Sequence, residues 1–286
     1  MTNIYQKESN NKKIGCALPC YKGGSITIEL IKHLHDIVDF IVLVDDACPL
    51  KTGNLAEKNF LESKKFHVLY NESNRGVGFS VKKAFTFLIN LGCDIIIKID
   101  ADGQMDPALI PELIRPIQLG YSDAVKGNRF SNLDNIISMP TIRKIGNLGL
   151  SFLNKISSGY WELFDPTNGF IAFKANRLKD VRYEKAHSRY FFESDLLFQS
   201  ALANICFSQI PMKSKYDKEI SSLNPISNIF IFFIYHIRNF IKRIIYQYFL
   251  LDFNIGSLEI IGVLITGSIF LIISTKTYLN GLFYDQ

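Results

Sequence analysis

The sequence predicts an α/β fold with a mostly parallel central sheet, followed by an amphipathic helix and a C-terminal apolar helix. Two observations carry this prediction. Short apolar segments alternate with segments of helical periodicity through the first half of the chain, and acidic or glycine-rich residues follow several of the apolar segments. The last 60 or so residues contain instead two long, strongly apolar stretches.

Five apolar segments of the first half are predicted strands, because they are short, rich in β-branched residues and bounded by turn-forming residues. They are Ile14–Leu18, Phe40–Val44, Phe66–Tyr70, Asp94–Ile99 and Ala124–Gly127. The helices predicted between them are Ile26–His35, Leu55–Ser63, Val77–Asn90 and Pro107–Leu119. Strands that alternate with helices are joined by right-handed crossovers, which makes the sheet largely parallel.

The second half of the domain is less regular. Thr141–Ser158 and Phe192–Ala203 have helical spacing, Asp165 begins a turn that enters a short strand, and Phe207–Pro211 is a further predicted strand. We expect one catalytic domain over residues 13–224. The polar residues 1–12 before it lack the apolar core of a signal peptide.

Residues 225–252 have the pattern of an amphipathic helix. The apolar positions recur three and four residues apart and are Phe230, Phe233, Ile234, Ile237, Ile241, Ile244, Ile245 and Tyr248. Asn239, Lys242, Arg243 and Gln247 fall on the opposite side. A helix with a basic polar face is suited to lie in a membrane interface. The alternative is a helix packed on the domain surface or on a second subunit. In the second case the protein would be a homo-oligomer.

Residues 253–286 are predicted to hold a transmembrane segment and a short tail. From Ile255 to Thr275 the chain is nearly all apolar, and Glu259 is the only charged residue. About 20 such residues suffice to cross a bilayer. The alternative is a buried core helix.

The charges that flank this segment predict its orientation. Arg238, Lys242 and Arg243 precede it, whereas only Lys276 follows it. Because positive residues stay on the cytoplasmic side, we expect the domain on the cytoplasmic face of the inner (plasma) membrane.

Composition excludes several classes of protein. The chain is 48% hydrophobic, which excludes a disordered chain, and its net charge of +5 is mild. No long Lys/Arg tract occurs, so nucleic acid is not an expected partner. The five cysteines lack the spacing of a zinc site and are predicted to be reduced thiols.

The segment Asp100-Ala101-Asp102-Gly103-Gln104 is the strongest candidate for chemistry. It follows a predicted strand, and the carboxyl end of a strand is where α/β sheets bind their ligands. Two carboxylates at this position suit a hard divalent cation held together with substrate phosphates. The alternative is a solvated acidic turn.

Further motifs follow in a fixed order along the chain. They are Val44-Asp45-Asp46, Asn74-Arg75-Gly76-Val77-Gly78, Asp100–Gln104, Gly127-Asn128-Arg129, Asp165–Phe170, Glu193-Ser194-Asp195 and the stretch Tyr216–Leu223. Over roughly residues 12–224 the series resembles family 2 glycosyltransferases, within them the polyprenyl-phosphate group that includes dolichyl-phosphate mannose synthase. The resemblance implies a nucleotide-diphosphosugar transferase fold of the GT-A type.

The resemblance also implies residue roles. Asp100, Asp102 and Gln104 would hold Mg²⁺ or Mn²⁺, and Arg129 would meet phosphate charge. The expected nucleotide-sugar site comprises Pro19, Tyr21, Asp45, Asp46, Asn74, Gly76, Lys82, Asp100, Ala101 and Asp102. The expected acceptor site comprises Arg143, Lys144, Asp165, Asn168 and Gly169. The candidate catalytic residues are Asp102, Arg129, Glu193 and Asp195.

The acceptor decides whether a base is needed. A lipid monophosphate is largely dianionic at pH 7 and needs none, whereas a sugar hydroxyl would need a base such as Asp195. Glu193 and Asp195 could instead form a solvated first helical turn, where the helix dipole favours acidic residues. On this basis Asp195→Asn is expected to separate the two acceptors, with near-complete loss for a hydroxyl and modest loss for a phosphate.

The predicted function is a membrane-attached, metal-dependent and inverting glycosyltransferase that moves a sugar from a nucleotide-sugar donor to undecaprenyl or a similar polyprenyl phosphate. One alternative is a single-addition glycosyltransferase that acts on a sugar hydroxyl of a polysaccharide or glycolipid. The other is an inactive membrane-anchored scaffold.

Overall fold

The structure, a computed structural model, describes residues 12–131, 141–212 and 225–284. The chain divides into two compact units, Met1–Asn239 and Phe240–Gln286, which are treated separately below. The motif stretch Tyr216–Leu223 lies outside the described residues.

The first unit is built on a seven-stranded sheet in the order β3-β2-β1-β4-β6-β5-β7. The strands are β1 Ile14–Cys20, β2 Phe40–Asp45, β3 Phe66–Tyr70, β4 Ile95–Lys98, β5 Ala124–Asn128, β6 Ile171–Lys174 and β7 Phe207–Pro211. All neighbouring strands are parallel except β6, which is antiparallel to β4 and β5. This confirms the predicted mostly parallel sheet.

The helices of the first unit follow the predicted alternation. They are α1 Gly24–His35, α2 Thr52–Asn59, α3 Val77–Asn90, α4 Ile110–Gln118, α5 Thr141–Ser158, α6 Ala175–Leu178 and α7 Phe192–Leu202, and α8 Pro225–Ile245 extends beyond the unit boundary. The predicted Leu55–Ser63 helix is the least accurate, since α2 begins three residues earlier. The Asp45 carboxylate accepts a hydrogen bond from the Gly53 N–H at 2.7 Å, which satisfies a donor of the first turn.

The central strands are apolar on both faces because helices cover both sides of the sheet. Leu18, Leu43 and Ile97 belong to one buried cluster, whereas their neighbours Ala17 and Ile96 belong to the other. The alternation of side chains along each strand therefore divides the core into two layers.

The antiparallel strand β6 determines what lies at the edge of the sheet that carries the predicted site. Because β6 runs opposite to its neighbours, its first residue, Ile171, pairs with Lys98 near the end of β4 and with Lys126 on β5. The turn that precedes β6, from Asp165 to Phe170, is thereby placed beside the carboxyl ends of these two strands.

The second unit contains the end of α8, a turn of π-helix over Tyr246–Leu251 and the long helix α9, Ile255–Tyr284. The start of α9 is capped, since the Gly256 N–H donates to Asn254 Oδ1 at 2.9 Å. Within the described residues, Ile255–Lys276 is the helix that is long and apolar enough to cross a membrane. Only 6% of its most apolar window is buried, unlike a core helix.

Candidate active site

The β4 loop, residues 100–104, is held in place by short local contacts. The Thr27 hydroxyl donates to the Ala101 carbonyl at 3.0 Å, and the Gln104 N–H donates to Asp102 Oδ1 at 3.0 Å. Gly103 has a φ of +73°, a conformation that glycine adopts without strain. Asp100, Asp102 and Gln104 are all partly exposed, so their side chains can reach a ligand.

A buried lysine that the sequence analysis did not single out lies beneath this loop. Lys98 has a side chain only 1% exposed, and its Nζ contacts Asp100 Oδ1 and Glu193 Oε1, both at 2.7 Å. Burial by itself lowers the pKa of Lys98, but the two carboxylates outweigh it and the pKa is raised. The signal was the lysine inside the apolar run Ile95–Ile99, because a buried charge requires a partner.

Gly169 lies so close to this ion pair that a side chain at this position would have to displace it. A Cβ atom at this position would overlap both Lys98 Nζ and Asp100 Oδ2. The backbone at Gly169 therefore covers one side of the Lys98–Asp100 pair, which places this predicted acceptor residue beside the predicted cation ligands.

A second buried lysine, Lys126 on β5, donates to the carbonyl oxygen of Asn168. Burial lowers its pKa to about 8, although Asp165 and Glu193 partly oppose this. The Asn168 side chain is itself occupied, because its amide donates to the Gly127 carbonyl at 2.8 Å and its Oδ1 accepts from the Phe170 N–H at 3.0 Å. Asn168 thus fixes the turn before β6.

Arg129 and Asp165, predicted to act on the phosphate and in the acceptor pocket respectively, are paired with each other. The guanidinium donates to both Asp165 oxygens, at 2.6 Å from Nε and 2.5 Å from Nη2. Asp165 is fully buried and has a φ of +59°. A fully buried carboxylate needs such a partner, and the pairing commits two of the five donors of Arg129 to it.

The two aspartates at the end of β2, Asp45 and Asp46, are buried and accept hydrogen bonds from backbone N–H groups of two loops. Asp45 accepts from the Cys48 and Gly53 N–H groups, both at 2.7 Å. Asp46 accepts from the backbone of Arg75 and of Gly76, both at 2.8 Å. Their carboxylates organise the loops around the expected nucleotide site.

Three of the other expected nucleotide-site residues, Asn74, Gly76 and Lys82, lie just before α3 or in its first two turns. Lys82 donates to the Ala186 carbonyl at 2.8 Å and to Ser188 Oγ at 3.1 Å, which ties α3 to the loop before α7. Gly76 has a φ of +93° and lies against this loop. The residues of this expected site differ in exposure: Pro19 is buried at the end of β1, whereas Tyr21 and Asn74 are exposed.

The structure contradicts the interpretation of Glu193 and Asp195 as a solvated first helical turn. Glu193 is 13% exposed and paired with Lys98. Asp195 is 2% exposed and accepts from the His187 N–H and from Asn239 Nδ2, both at 2.8 Å. These contacts join Asp195 to α8, so that Asp195→Asn cannot separate the two acceptor types: it would disturb the structure with either one.

The middle of α8 packs with polar side chains against the domain. His236 and Asn239 are buried, and His236 Nδ1 forms a hydrogen bond of 2.8 Å with Ser157 Oγ. Burial lowers the pKa of His236 to about 4. The apolar residues on its other side are exposed; they are Phe230, Phe233, Ile234 and Ile237, called here the α8 stripe. Asn239, predicted on the polar face of an interfacial helix, packs against the domain, as in the alternative of a helix packed on the domain surface.

Arg143 and Lys144 lie in α5, but their side chains are not among those that the structure describes. Among the side chains that the structure describes, no group of three or more His, Cys, Asp or Glu residues could hold a metal ion. Mg²⁺ requires only one or two carboxylates, and the partly exposed Asp100 and Asp102 with the Gln104 amide supply that donor set. The residues present thus fit the implied cation.

Comparison with known proteins identifies the class. The model of the glycosyl transferase family 2 matches residues 16–182, and the chain belongs to this family. The fold is of the GT-A type. The glucosyl-3-phosphoglycerate synthase of Mycobacterium tuberculosis, solved with Mn²⁺, UDP and glucosyl-3-phosphoglycerate, superposes with a TM-score of 0.59 at 14% identity, over 84% of this chain and 82% of that one.

Two curated relatives share more sequence. The UDP-N-acetylglucosamine–dolichyl-phosphate N-acetylglucosaminyltransferase of Methanococcus voltae is 29% identical over 72% of this chain and 87% of the relative. The undecaprenyl-phosphate mannosyltransferase of Micrococcus luteus is 28% identical over 60% of this chain and 70% of the relative. Both names confirm the resemblance to the polyprenyl-phosphate group.

Proposed function

We propose that this glycosyltransferase moves a sugar from a nucleotide-sugar to a polyprenyl phosphate at a membrane surface, with a divalent cation bound by Asp100 and Asp102. The observation that carries the proposal is the partly exposed acidic pair at the carboxyl end of β4, backed by Lys98 and Gly169. The named acceptors of both curated relatives are polyprenyl phosphates, which supports this acceptor class.

The reaction forms a bond between an acceptor phosphate oxygen and the anomeric carbon. The bond from that carbon to the donor diphosphate breaks, and its electron pair leaves with the nucleoside diphosphate. The cation, when bound, would stabilise the negative charge that grows on this leaving group. Attack from the face opposite the leaving group inverts the anomeric centre.

The chain's own residues position these groups. Asp100 and Asp102, with the Gln104 amide, would bind the cation beside the donor diphosphate. Asp45 and Asp46 would hold the loops around the nucleotide, because their carboxylates fix the backbone N–H groups there. Arg129, held by its pairing with Asp165, would bring its positive charge to the phosphate.

The states of Glu193 and Asp195 favour a phosphate acceptor over a sugar hydroxyl. A base must be within hydrogen-bond reach of the proton that it abstracts. Glu193 is paired with Lys98, and both oxygens of the buried Asp195 accept other hydrogen bonds. A phosphate dianion does not require either residue to remove a proton.

The α8 stripe and α9 support a membrane location. Exposed apolar side chains at three- and four-residue spacing suit the headgroup boundary, and Arg238 and Lys242 beside them suit anionic lipids. The helix Ile255–Lys276 would anchor the chain in the bilayer. The charge asymmetry around it supports a location of the domain on the cytoplasmic face of the plasma membrane.

The test is a transfer assay with the full chain in phospholipid vesicles that contain undecaprenyl or dolichyl phosphate. Labelled UDP-GlcNAc, UDP-glucose and GDP-mannose are added separately, with Mg²⁺, Mn²⁺ or EDTA. We expect one donor to give label in the lipid extract that EDTA abolishes. Label that reaches no polyprenyl phosphate with any of these donors would contradict the proposed acceptor.

A further inference from the structure

Asp100 and Glu193 both contact the ammonium group of Lys98, although the two residues are far apart in the sequence. Lys98 Nζ is 2.7 Å from an oxygen of each, so the two carboxylates lie within twice that distance of one another. Asp100 is 28% exposed and Glu193 is 13% exposed, so that both are close to the surface of the site. Asp102 lies two residues after Asp100 on the β4 loop.

The cluster formed by Lys98, Asp100 and Glu193 brings two carboxylates close enough to bind one cation together. Each added carboxylate raises the negative charge of such a site, and the coordination sphere of a hard divalent ion can take several oxygen ligands. A sugar transferase gains nothing from this arrangement, because the cation must leave positions open for the donor diphosphate. Something must therefore keep Glu193 away from the cation.

We propose that Lys98 is a built-in cation that divides this cluster: the divalent ion binds Asp100 and Asp102, and Glu193 stays outside its coordination shell. The proposal rests on the cation site of the proposed function. Lys98 is a positioning residue in this role, since it acts through the two carboxylates and is itself 1% exposed.

The packing around Lys98 supports a fixed role. The backbone at Gly169 leaves no room for a side chain beside Nζ, so the ammonium is closed in on that side. Lys98 also lies on β4, whose pairing with Ile171 of β6 holds it rigidly. The ammonium is therefore buried between the two carboxylates and the backbone at Gly169.

Two substitutions change the charge of the cluster in opposite directions. Lys98→Met removes the positive charge and releases Glu193 toward the cation, so that Mn²⁺ should bind at least about fivefold more tightly. Glu193→Gln leaves Lys98 with Asp100 as its charged partner, so that Mn²⁺ should bind at least about threefold more weakly. A merely structural role for Lys98 would weaken Mn²⁺ binding in both variants.

The experiment measures free Mn²⁺ by electron paramagnetic resonance during titration of the detergent-solubilised full chain, without donor or acceptor. Lys174→Met is the matched control, because Lys174 also lies on the β4–β6 pair but is opposite Ile95, at the far end from the site. Its affinity should stay within about twofold of the wild type. Circular dichroism checks that each variant is folded.

A folded Lys98→Met variant with unchanged or weaker Mn²⁺ binding would overturn the proposal. Should this variant not fold, the position of Mn²⁺ in crystals of the wild type decides, and coordination of the ion by Glu193 would overturn the proposal. If the wild-type protein binds no Mn²⁺, the cation site on which the proposal rests does not exist, and the proposal is refuted. Binding as expected without any transfer to polyprenyl phosphate leaves Lys98 in this role and refutes only the proposed acceptor.

Discussion

The carboxylates at the active edge of the sheet fall into two groups that their motifs do not distinguish. Asp100 and Asp102 are partly exposed on the β4 loop. The buried group comprises Asp45, Asp46, Asp165 and Asp195, each of which accepts at least two hydrogen bonds from the protein. An acidic residue in a motif can therefore stabilise the loops of the site rather than contact a ligand.

The largest expected effect comes from the exposed group. Asp102→Asn keeps an oxygen that can accept from Gln104 but removes a charge from the cation site. We expect the rate of transfer to fall at least about a hundredfold, because the variant stabilises the leaving diphosphate less well. Initial rates at saturating Mn²⁺ measure it.

Stability should hardly change in the same variant. The free energy of unfolding, followed in guanidinium chloride by the fluorescence of the single tryptophan, Trp161, should stay within about 1 kcal/mol of the wild type. Near-normal activity, or a loss that merely parallels unfolding, would place Asp102 with the buried group.

The buried group should respond in the opposite way. Asp165→Ala leaves Arg129 without its bidentate partner, and removing one member of a buried ion pair costs about 3 kcal/mol. Asp180→Ala is the matched control, because Asp180 pairs with Arg177 at an exposed position and should cost less than about 1 kcal/mol. Equal costs for the two variants would remove the distinction between the groups.

Much of this division depends on contacts that the sequence does not display. The β4 strand and its acidic loop could be predicted, because apolar periodicity and turn residues are local signals. The pairing of Lys98 with Glu193 joins residues 95 positions apart. The bidentate pairing of Arg129 with Asp165 joins residues 36 positions apart.

The pairing of Arg129 with Asp165 follows from the antiparallel insertion of β6, whose direction no local pattern encodes, and that of Lys98 with Glu193 brings the end of β4 to α7. The sequence also did not predict which side of α8 packs against the domain. Periodicity defined its two faces but not which one meets the domain, and the buried face turned out to carry His236 and Asn239. Lys98, a lysine within an apolar strand, was the one feature of the sequence that indicated these buried ion pairs.

The pH dependence of stability offers a smaller test of the buried network. Burial lowers the pKa of Lys126 to about 8, below that of an unfolded lysine. Between these two values the unfolded chain binds more protons than the folded one, so this residue's contribution to stability rises with pH. Below about pH 8 both states are protonated and the penalty is constant.

The comparison with Lys126→Met isolates this residue, because the other titrating groups are common to both proteins. From pH 7.5 to 10 the free energy of unfolding of the wild type should improve by about 2 kcal/mol relative to the variant. A difference that does not change with pH would show that Lys126 is not buried as a charge.

The smallest expected effect lies outside the acidic groups. Ile237→Glu places a charge in the α8 stripe and should weaken transfer to a polyprenyl phosphate in vesicles about fivefold, mainly by raising KM for the lipid. Leu61→Glu is the control, because Leu61 is also exposed but follows α2, away from the stripe. Equal effects of the two substitutions would contradict a membrane-facing stripe.

The most direct test of the division is to locate the cation. Crystals of the protein grown with Mn²⁺ and the nucleoside diphosphate of its donor would show Mn²⁺ by its anomalous scattering. We predict a peak within coordination distance of the carboxylates of Asp100 and Asp102, with Glu193 still on Lys98. A peak bound to Asp45, Asp46, Asp165 or Asp195, or to Glu193, would contradict it.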